Sequence, residues 1–275
     1  MWYDPRMPTP ILPSPSVRAK LKATALEAAR VAGSILTDAA SNGFHVEYKD
    51  SVNLVTDADR RSEQAVIEVI RKTFPEHRIL AEEGGAQAGG DPDYRWVIDP
   101  LDGTTNFAHG FPAYCVSIGV EYRGHCIFGV VLDPTRQELF TAETGSGAFL
   151  NGSALHVSRT PRLDQALLVT GFAYDIRVSA QNNLDNFSRF ALTAQGVRRT
   201  GTAALDMCYV AAGRFDGFWE LKLHPWDTAA GLVILREAGG RVTDFKGTPY
   251  SIYEPSIVAS NGLIHEEMLE ILRRT

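Results

Sequence analysis

A chain of 275 residues, 44% of them hydrophobic, can bury one large core or two closely packed ones without covalent staples. Its three cysteines, Cys115, Cys126 and Cys208, sit in apolar stretches without C-x-x-C spacing, which argues against disulfides and a zinc-thiolate site and for a reducing, cytoplasmic setting. A net charge of -6 with no Lys/Arg run argues against direct nucleic-acid binding or a membrane-surface role, and no apolar run of about 18 residues marks a membrane helix.

The first 17 residues carry five prolines and read as a flexible extension, without the zones of a signal peptide. From about Val17 to Ala40, Leu21, Ala25, Ala28, Ala32, Ile35 and Leu36 recur at helical spacing, with Ser16 as the N-cap and Asn42-Gly43 as the stop. A second helix is expected from about Ala58 to Phe74, with Val66, Ile67 and Ile70 inward and Pro75 closing it. The period then changes to two: strands are expected at 78–81, 95–98, 113–122, 125–132 and 139–142, with Arg123-Gly124 as a hairpin turn. After Asn151 strands and helices alternate, with strands at 166–170 and 217–221 and near Val242 and Ile257. Helices are expected at about 183–195, 203–214, 228–238 and 265–273. An α+β part, 18–151, leading into an α/β part, 152–275, follows from this order, with a soft boundary near Gly152.

Carboxylates gather where these elements end. "ILAEEGG" closes a strand in Glu82-Glu83, "VIDPLDGTTN" closes another in Asp99 and Asp102, and "HPWDTAAG" sets Asp227 just ahead of a helix. Pro100 forbids a helical reading of Asp99 to Asp102, and a type I turn there would let both carboxylates and the Leu101 carbonyl converge. Such a gathering repels itself without a cation, and an all-oxygen set suits Mg²⁺, with Mn²⁺ as a substitute, rather than zinc or copper. Each piece alone would usually be a solvated turn. The string Asp-Pro-x-Asp-Gly-Thr, however, arises by chance in a chain of this length only about once in 10⁴.

Taken together, "DPLDGTTN" at 99–106, "AEEGG" at 81–85, "NLVTDADR" at 53–60 and "HPWDTAAG" at 224–231 resemble the inositol monophosphatase family. "GTAALDMCYVAAGRFDGFWE" at 201–220 and "EAGGRVTD" at 237–244 fit as well, so the resemblance spans about residues 18 to 273 and is strongest toward the family's bacterial branch. It implies the layered αβαβα fold of the Mg²⁺-dependent, lithium-sensitive sugar phosphatases, a homodimer, and hydrolysis of small phosphomonoesters by water without a covalent phosphoenzyme.

Carried over to this chain, the resemblance implies two or three metal ions. Glu82, Asp99 and the Leu101 carbonyl would hold the first, and Asp99, Asp102 and Asp227 the second, with Asp99 as the bridge. Glu82 would also hold a weaker third ion through water. Thr104 with Asp59 would orient the attacking water, so Asp59, Glu82 and Thr104 are the candidate catalytic residues. Gly103 lets a phosphate approach the backbone N–H groups of Gly103 and Thr104, where a helix opens. The substrate contacts implied are Asp102, Gly103, Thr104, Ala203 and Glu220, the last facing inositol hydroxyls.

Other residues near these strings have plainer readings. Asp57 serves as an N-cap as readily as a third-metal ligand, and Glu83 suits a supporting or solvated acid better than a direct ligand. His109 and His224 read as structural or rim residues, and Trp226 as a packing anchor. Relatives sharing the metal string hydrolyse histidinol phosphate, fructose 1,6-bisphosphate or 3'-phosphoadenosine 5'-phosphate. "LKLHPWD" and Asp206 depart from the animal enzymes, which leaves the pocket wall open. A reading of another class is a binding protein, since bacterial relatives join RNA-polymerase antitermination complexes. Arg198 and Arg199 offer a small basic patch for it, and a solvated helix-to-strand connection explains them equally well.

Overall fold

The computed structural model describes residues 12–48 and 54–273. Helix α1 (Pro15–Asn42) turns Ala25, Ala28, Ala29, Ala32 and Ala39 inward between Leu21 and Leu36. Ser14, not Ser16, caps it, accepting from the Val17 N–H at 3.5 Å, and Pro15 takes the first helical position. The helix thus starts inside the segment expected to be a flexible extension, of which residues 1–11 lie outside the described residues. A hairpin of β1 (Val46–Tyr48) and β2 (Leu54–Thr56) leads into α2 (Asp57–Thr73).

Two sheets follow. The first contains β3 (His77–Ala81), β4 (Gly85–Gln87) and β5 (Asp91–Asp102), then, after the short helix α3 (Thr104–Ala108), β6 (Cys115–Tyr122) and β7 (His125–Asp133). It ends with β8 (Glu138–Glu143), β9 (Gly147–Leu150) and β10 (Ser153–Ala154). Its order is β10-β9-β8-β7-β6-β5-β3-β4, antiparallel except where β3 lies parallel to β5. The second sheet is built from β11 (Leu167–Thr170), α4 (Leu184–Thr193), β12 (Gly196–Arg198), α5 (Ala203–Ala211), β13 (Gly217–Leu221), α6 (Pro225–Glu237), β14 (Arg241–Thr243), β15 (Ser256–Ser260) and α7 (His265–Leu272). Its strands run β12-β11-β13-β15-β14, with β11 parallel to both its neighbours.

Alternation along the strands sorts their side chains into layers. On β5, Trp96 and Ile98 point into a core shared with α1 and α2, while Val97 points into a second core with α5 and α6. On β13, Phe218 joins that second core and Trp219 a third one with Phe190 of α4 and Met268 of α7. The order of layers is therefore α1/α2, large sheet, α5/α6, small sheet, α4/α7, the expected αβαβα arrangement.

Several local expectations are corrected. Asp99 to Asp102 is not a type I turn: β5 runs through it with a bulge, Asp99 opposite Ser117 and Asp102 opposite Cys115, so Pro100 and Leu101 together face one residue of β6. Proline is tolerated there because a bulge frees its position from the ladder. Asp227 is not ahead of a helix but in the first turn of α6, because Pro225 starts that helix earlier than its apolar run suggests. The short strands β4, β9, β10 and β12 and the β1-β2 hairpin differ from the expected elements; each strand has two to four residues, too few for a period to register. Arg123 and Gly124 form the expected turn between β6 and β7, both with positive φ, 51° and 79°. Residues 151 and 152 form the turn joining β9 to β10.

Helix α6 is apolar all round, with Thr228 to Leu235 buried, because sheet and helix cover it on every side. It reaches the large sheet through two glycines. A Cβ on Gly119 would lie 2.6 Å from the Ala229 Cβ, and one on Gly129 only 2.4 Å from the Ala230 carbonyl oxygen. This close approach fixes the height of Asp227 over the sheet. Gly129→Ala is therefore expected to destabilise the fold by about 1–3 kcal/mol, the usual cost of overpacking. Thermal denaturation followed by circular dichroism checks it, and an unchanged melting temperature would contradict contact at van der Waals distance.

Candidate active site

The parallel pairing of β3 with β5 brings two acid-bearing strand ends side by side. Ala81 pairs with Ile98, and the Glu82 N–H donates to the Ile98 carbonyl at 3.2 Å, so Glu82, just past the end of β3, comes out beside Asp99 of β5. The bulge then turns Asp102 toward α5. The Leu101 N–H donates to Asp99 Oδ1 at 3.0 Å, and Ser62 on α2 pins the bulge from behind, its hydroxyl donating to the Pro100 carbonyl at 2.9 Å. Asp102 Oδ2 meets the start of α5, accepting from the Ala204 N–H at 2.7 Å and from the Thr202 hydroxyl at 2.8 Å. Asp227 Oδ2 accepts from the His224 N–H at 2.6 Å across the first turn of α6. Two helix N-termini thus point at two of these carboxylates, which partly offsets their charge.

The offset is incomplete. Burial pushes the Asp99 carboxyl well above the usual carboxylate range, and the neighbouring charges of Glu82, Asp102 and Asp227 push it further. Asp227 is raised well above that range by burial and by Asp102, while Asp102 is raised by burial to about 6 against the pull of its Ala204 and Thr202 hydrogen bonds. The hydrogen bonds to these aspartates fall on one oxygen each, Oδ1 of Asp99 and Oδ2 of Asp102 and Asp227. Among the described residues, no three or more His, Cys, Asp or Glu side chains already stand at the spacing of a closed ligand sphere. Anionic oxygens crowded into one cleft are nonetheless a donor set for a hard divalent cation, which would turn the repulsion acting on Asp99 and Asp227 into attraction.

Asp59 and Thr104 meet beside this cluster. Asp59 Oδ2 accepts from the Thr56 N–H at 2.8 Å and the Thr56 hydroxyl at 2.6 Å, a capping box that holds the start of α2. Its Oδ1 faces the Thr104 hydroxyl at 3.1 Å, and that hydroxyl also lies 3.1 Å from the Leu101 carbonyl. Burial raises the Asp59 carboxyl, and the Thr56 contacts oppose the rise. Gly103 caps α3 in the left-handed region, φ 95°, where a Cβ would come within 2.9 Å of the Ala113 carbonyl oxygen.

Glu82, Asp99, Leu101, Asp102, Gly103, Thr104 and Asp227 line one cleft of about 1040 Å³, together with Ala203 and Glu220, while Asp59 stands behind it. Glu220 on β13 is 7% exposed, and burial, followed by the charge of Asp206, raises it to about 8. No hydrogen-bond donor reaches its carboxylate among the described residues. A Cβ on Gly171 would fall 2.2 Å from Glu220 Oε1, so the glycine is what makes room for this acid.

The plainer candidates separate. Asp57 neither caps α2, where Thr56 does, nor lines the cleft; it accepts from the His45 N–H at 2.6 Å and pairs with Arg61. Glu83 lies outside the cleft, its N–H donating to Glu63 Oε2 at 2.8 Å. His109, His224 and Trp226 line the rim, the His224 ring stacked on Trp226 with centroids 4.8 Å apart. The wall at 171–177 and the residues Arg199 and Asp206 were not among the expected site residues. Both Arg198 and Arg199 are exposed, but Arg198 ends β12 instead of lying in a helix-to-strand connection, and Arg199, in the loop after it, lines the cleft.

Known proteins share this arrangement of chain. A sequence model of the inositol monophosphatase family matches residues 18–275. The inositol-1-monophosphatase of Synechocystis is 49% identical over 223 residues, covering 81% of this chain and 78% of its own. The Nus factor SuhB of Pseudomonas aeruginosa is 46% identical over 257 residues, covering 90% of this chain and 94% of its own. The solved structure of inositol monophosphatase from Anabaena superposes with a TM-score of 0.86 at 44% identity, covering 94% of this chain and 97% of that one. The chain belongs to the inositol monophosphatase family.

Proposed function

We propose that the protein is a Mg²⁺-dependent phosphomonoesterase that hydrolyses inositol monophosphates to inositol and phosphate. The observation that carries this reading is the set Glu82, Asp99, Asp102 and Asp227, Asp99 buried and the other three half-buried, on the floor of one cleft, with the unpartnered Glu220 carboxylate on its wall. Glu82, Asp99, the Leu101 carbonyl, Asp102 and Asp227 would hold two or three Mg²⁺ ions, or Mn²⁺ in their place. When bound, these ions supply positive charge against the phosphoryl group and acidify water. The chain's own groups do the rest. Thr104, its hydroxyl turned to Asp59, offers an oxygen lone pair to a water hydrogen, and Asp59 stands behind it to take a proton. The backbone N–H groups of Gly103 and Thr104 receive phosphate oxygens, and Glu220 accepts from the hydroxyls of the alcohol, beside the backbone of Ala203.

Family membership supports a phosphatase, and the relative named inositol-1-monophosphatase favours the inositol ester over histidinol phosphate, fructose 1,6-bisphosphate and 3'-phosphoadenosine 5'-phosphate. A homodimer in the cytoplasm belongs to the same reading; among the described residues no helix is long and apolar enough to cross a membrane. Relatives named Nus factor favour a second role in a transcription complex, which would use the surface rather than the cleft.

Phosphate release from the four esters, with Mg²⁺ and after chelation, ranks these readings; release that is indifferent to chelation would reject the metal-dependent one. Asp102→Asn is expected to lower turnover of inositol 1-phosphate about a hundredfold or more while leaving any transcription-complex contact in place. Glu220→Gln is expected to raise KM for inositol 1-phosphate far more than for an aryl phosphate, and equal effects would reject the hydroxyl contact.

The same substitution carries a stability signature. The Glu220 pKa is raised in the folded state, so its contribution is fully present below the unfolded value near 4.5 and is lost as pH rises toward about 8. In chelator, Glu220→Gln should therefore gain roughly 2–4 kcal/mol relative to wild type between pH 5 and 8. Urea unfolding at the two pH values measures it; a pH-independent difference would contradict the buried, unpartnered acid.

A further inference from the structure

Helix α5 presents an otherwise apolar buried sequence, "AALDMCYVA", interrupted by one acid. Asp206 is 1% exposed, yet it lines the cleft. It stands one helical turn beyond Ala203, on the face that α5 turns to the site. The hydroxyl of Thr200 donates to its Oδ1, while Oδ2 receives no donor among the described residues. Glu220, across the cleft wall on β13, is in the same condition, buried and without a protein donor. The charged groups acting on this pair are the same for both: Arg199 on the loop before α5, and Asp102 beneath.

A carboxylate on a fully apolar helix is costly unless something donates to it. A purely structural Asp206 would spend both oxygens on the protein, as Asp59 does on Thr56 and Thr104. Here each acid lines the cleft with an oxygen to spare, and Arg199, which lines the same cleft and draws on both acids by its charge, is a donor for the oxygen of a bound hydroxyl. Such a pairing of acceptor and donor suits an alcohol, which needs both.

We propose that Asp206 is a second specificity-determining carboxylate, which with Glu220 and Arg199 holds the hydroxyl groups of a polyol phosphate on the α5 side of the cleft. This rests on the polyol reading above, with Glu220 as one contact; Asp206 adds a second and selects alcohols whose hydroxyls span both walls. Thr200 fixes its rotamer, so that Oδ2 rather than Oδ1 is offered.

The test compares wild type, Asp206→Ala and the isosteric Asp206→Asn, reading kcat and KM with Mg²⁺ for inositol 1-phosphate and for an aryl phosphate that has no hydroxyl groups. In Asp206→Ala the ratio of the inositol KM to the aryl KM is expected to rise about tenfold or more, with the kcat ratio nearly constant. In Asp206→Asn, which retains an acceptor oxygen and the shape, most of the rise is recovered. A parallel change for both esters, or Asn behaving as Ala does, overturns the assignment and leaves Asp206 a packing residue. A wild type with no preference for inositol 1-phosphate over the aryl ester overturns the polyol reading itself, and the role of Asp206 with it.

Discussion

Everything at this site depends on charge repulsion that the fold does not relieve. Glu82 follows the end of β3 beside Asp99 on the parallel strand β5, Asp102 follows one bulge later, and Asp227 descends from α6. Burial raises the three aspartates, and the charges of neighbouring acids raise Asp99 and Asp227 further. Helix N-termini and backbone N–H groups answer part of the charge, but only one oxygen per aspartate is engaged. A divalent cation is the economical completion: it converts mutual repulsion into attraction and places positive charge where a phosphoryl group would dock.

The rest of the fold holds that unstable arrangement in place. Gly119 and Gly129 let α6 touch the large sheet, Ser62 and the Thr56–Asp59 capping box brace α2 against the bulge, and Asn106 ties α3 to the Thr200 carbonyl at 2.9 Å. These contacts belong to different layers, so the acids are positioned by the packed core rather than by any one loop. Small residues at the α6 interface and small residues at the cleft wall, such as Gly171 against Glu220, serve the same end.

Long elements with a strong period were legible in the sequence: α1, α2, β6 and β7 lie within a few residues of where apolar spacing puts them. Short edges were not, because two residues such as Ser153-Ala154 carry no periodicity. The Asp-Pro-Leu-Asp string marks the site but not its conformation, since a bulge exists only relative to the register of Cys115 and Ser117 on the partner strand. Asp227 was placed ahead of α6 because its neighbour at the helix start is His224, outside the usual capping residues. The 171–177 wall has no local signal at all, and Arg199 has one, the Arg198-Arg199 pair, that points to a surface patch and not to the cleft. Asp206 has a clearer one, a lone acid in a nine-residue, otherwise apolar helix.

The measurement that tests the central claim most directly is calorimetric titration of metal-free protein with Mg²⁺ or Mn²⁺ near neutral pH in buffers of different ionisation enthalpy. Carboxyls held partly protonated by one another must lose protons when a cation arrives, so the account predicts binding with proton release that Asp99→Asn abolishes. Absence of binding, or binding that releases no protons and survives Asp99→Asn, would contradict it.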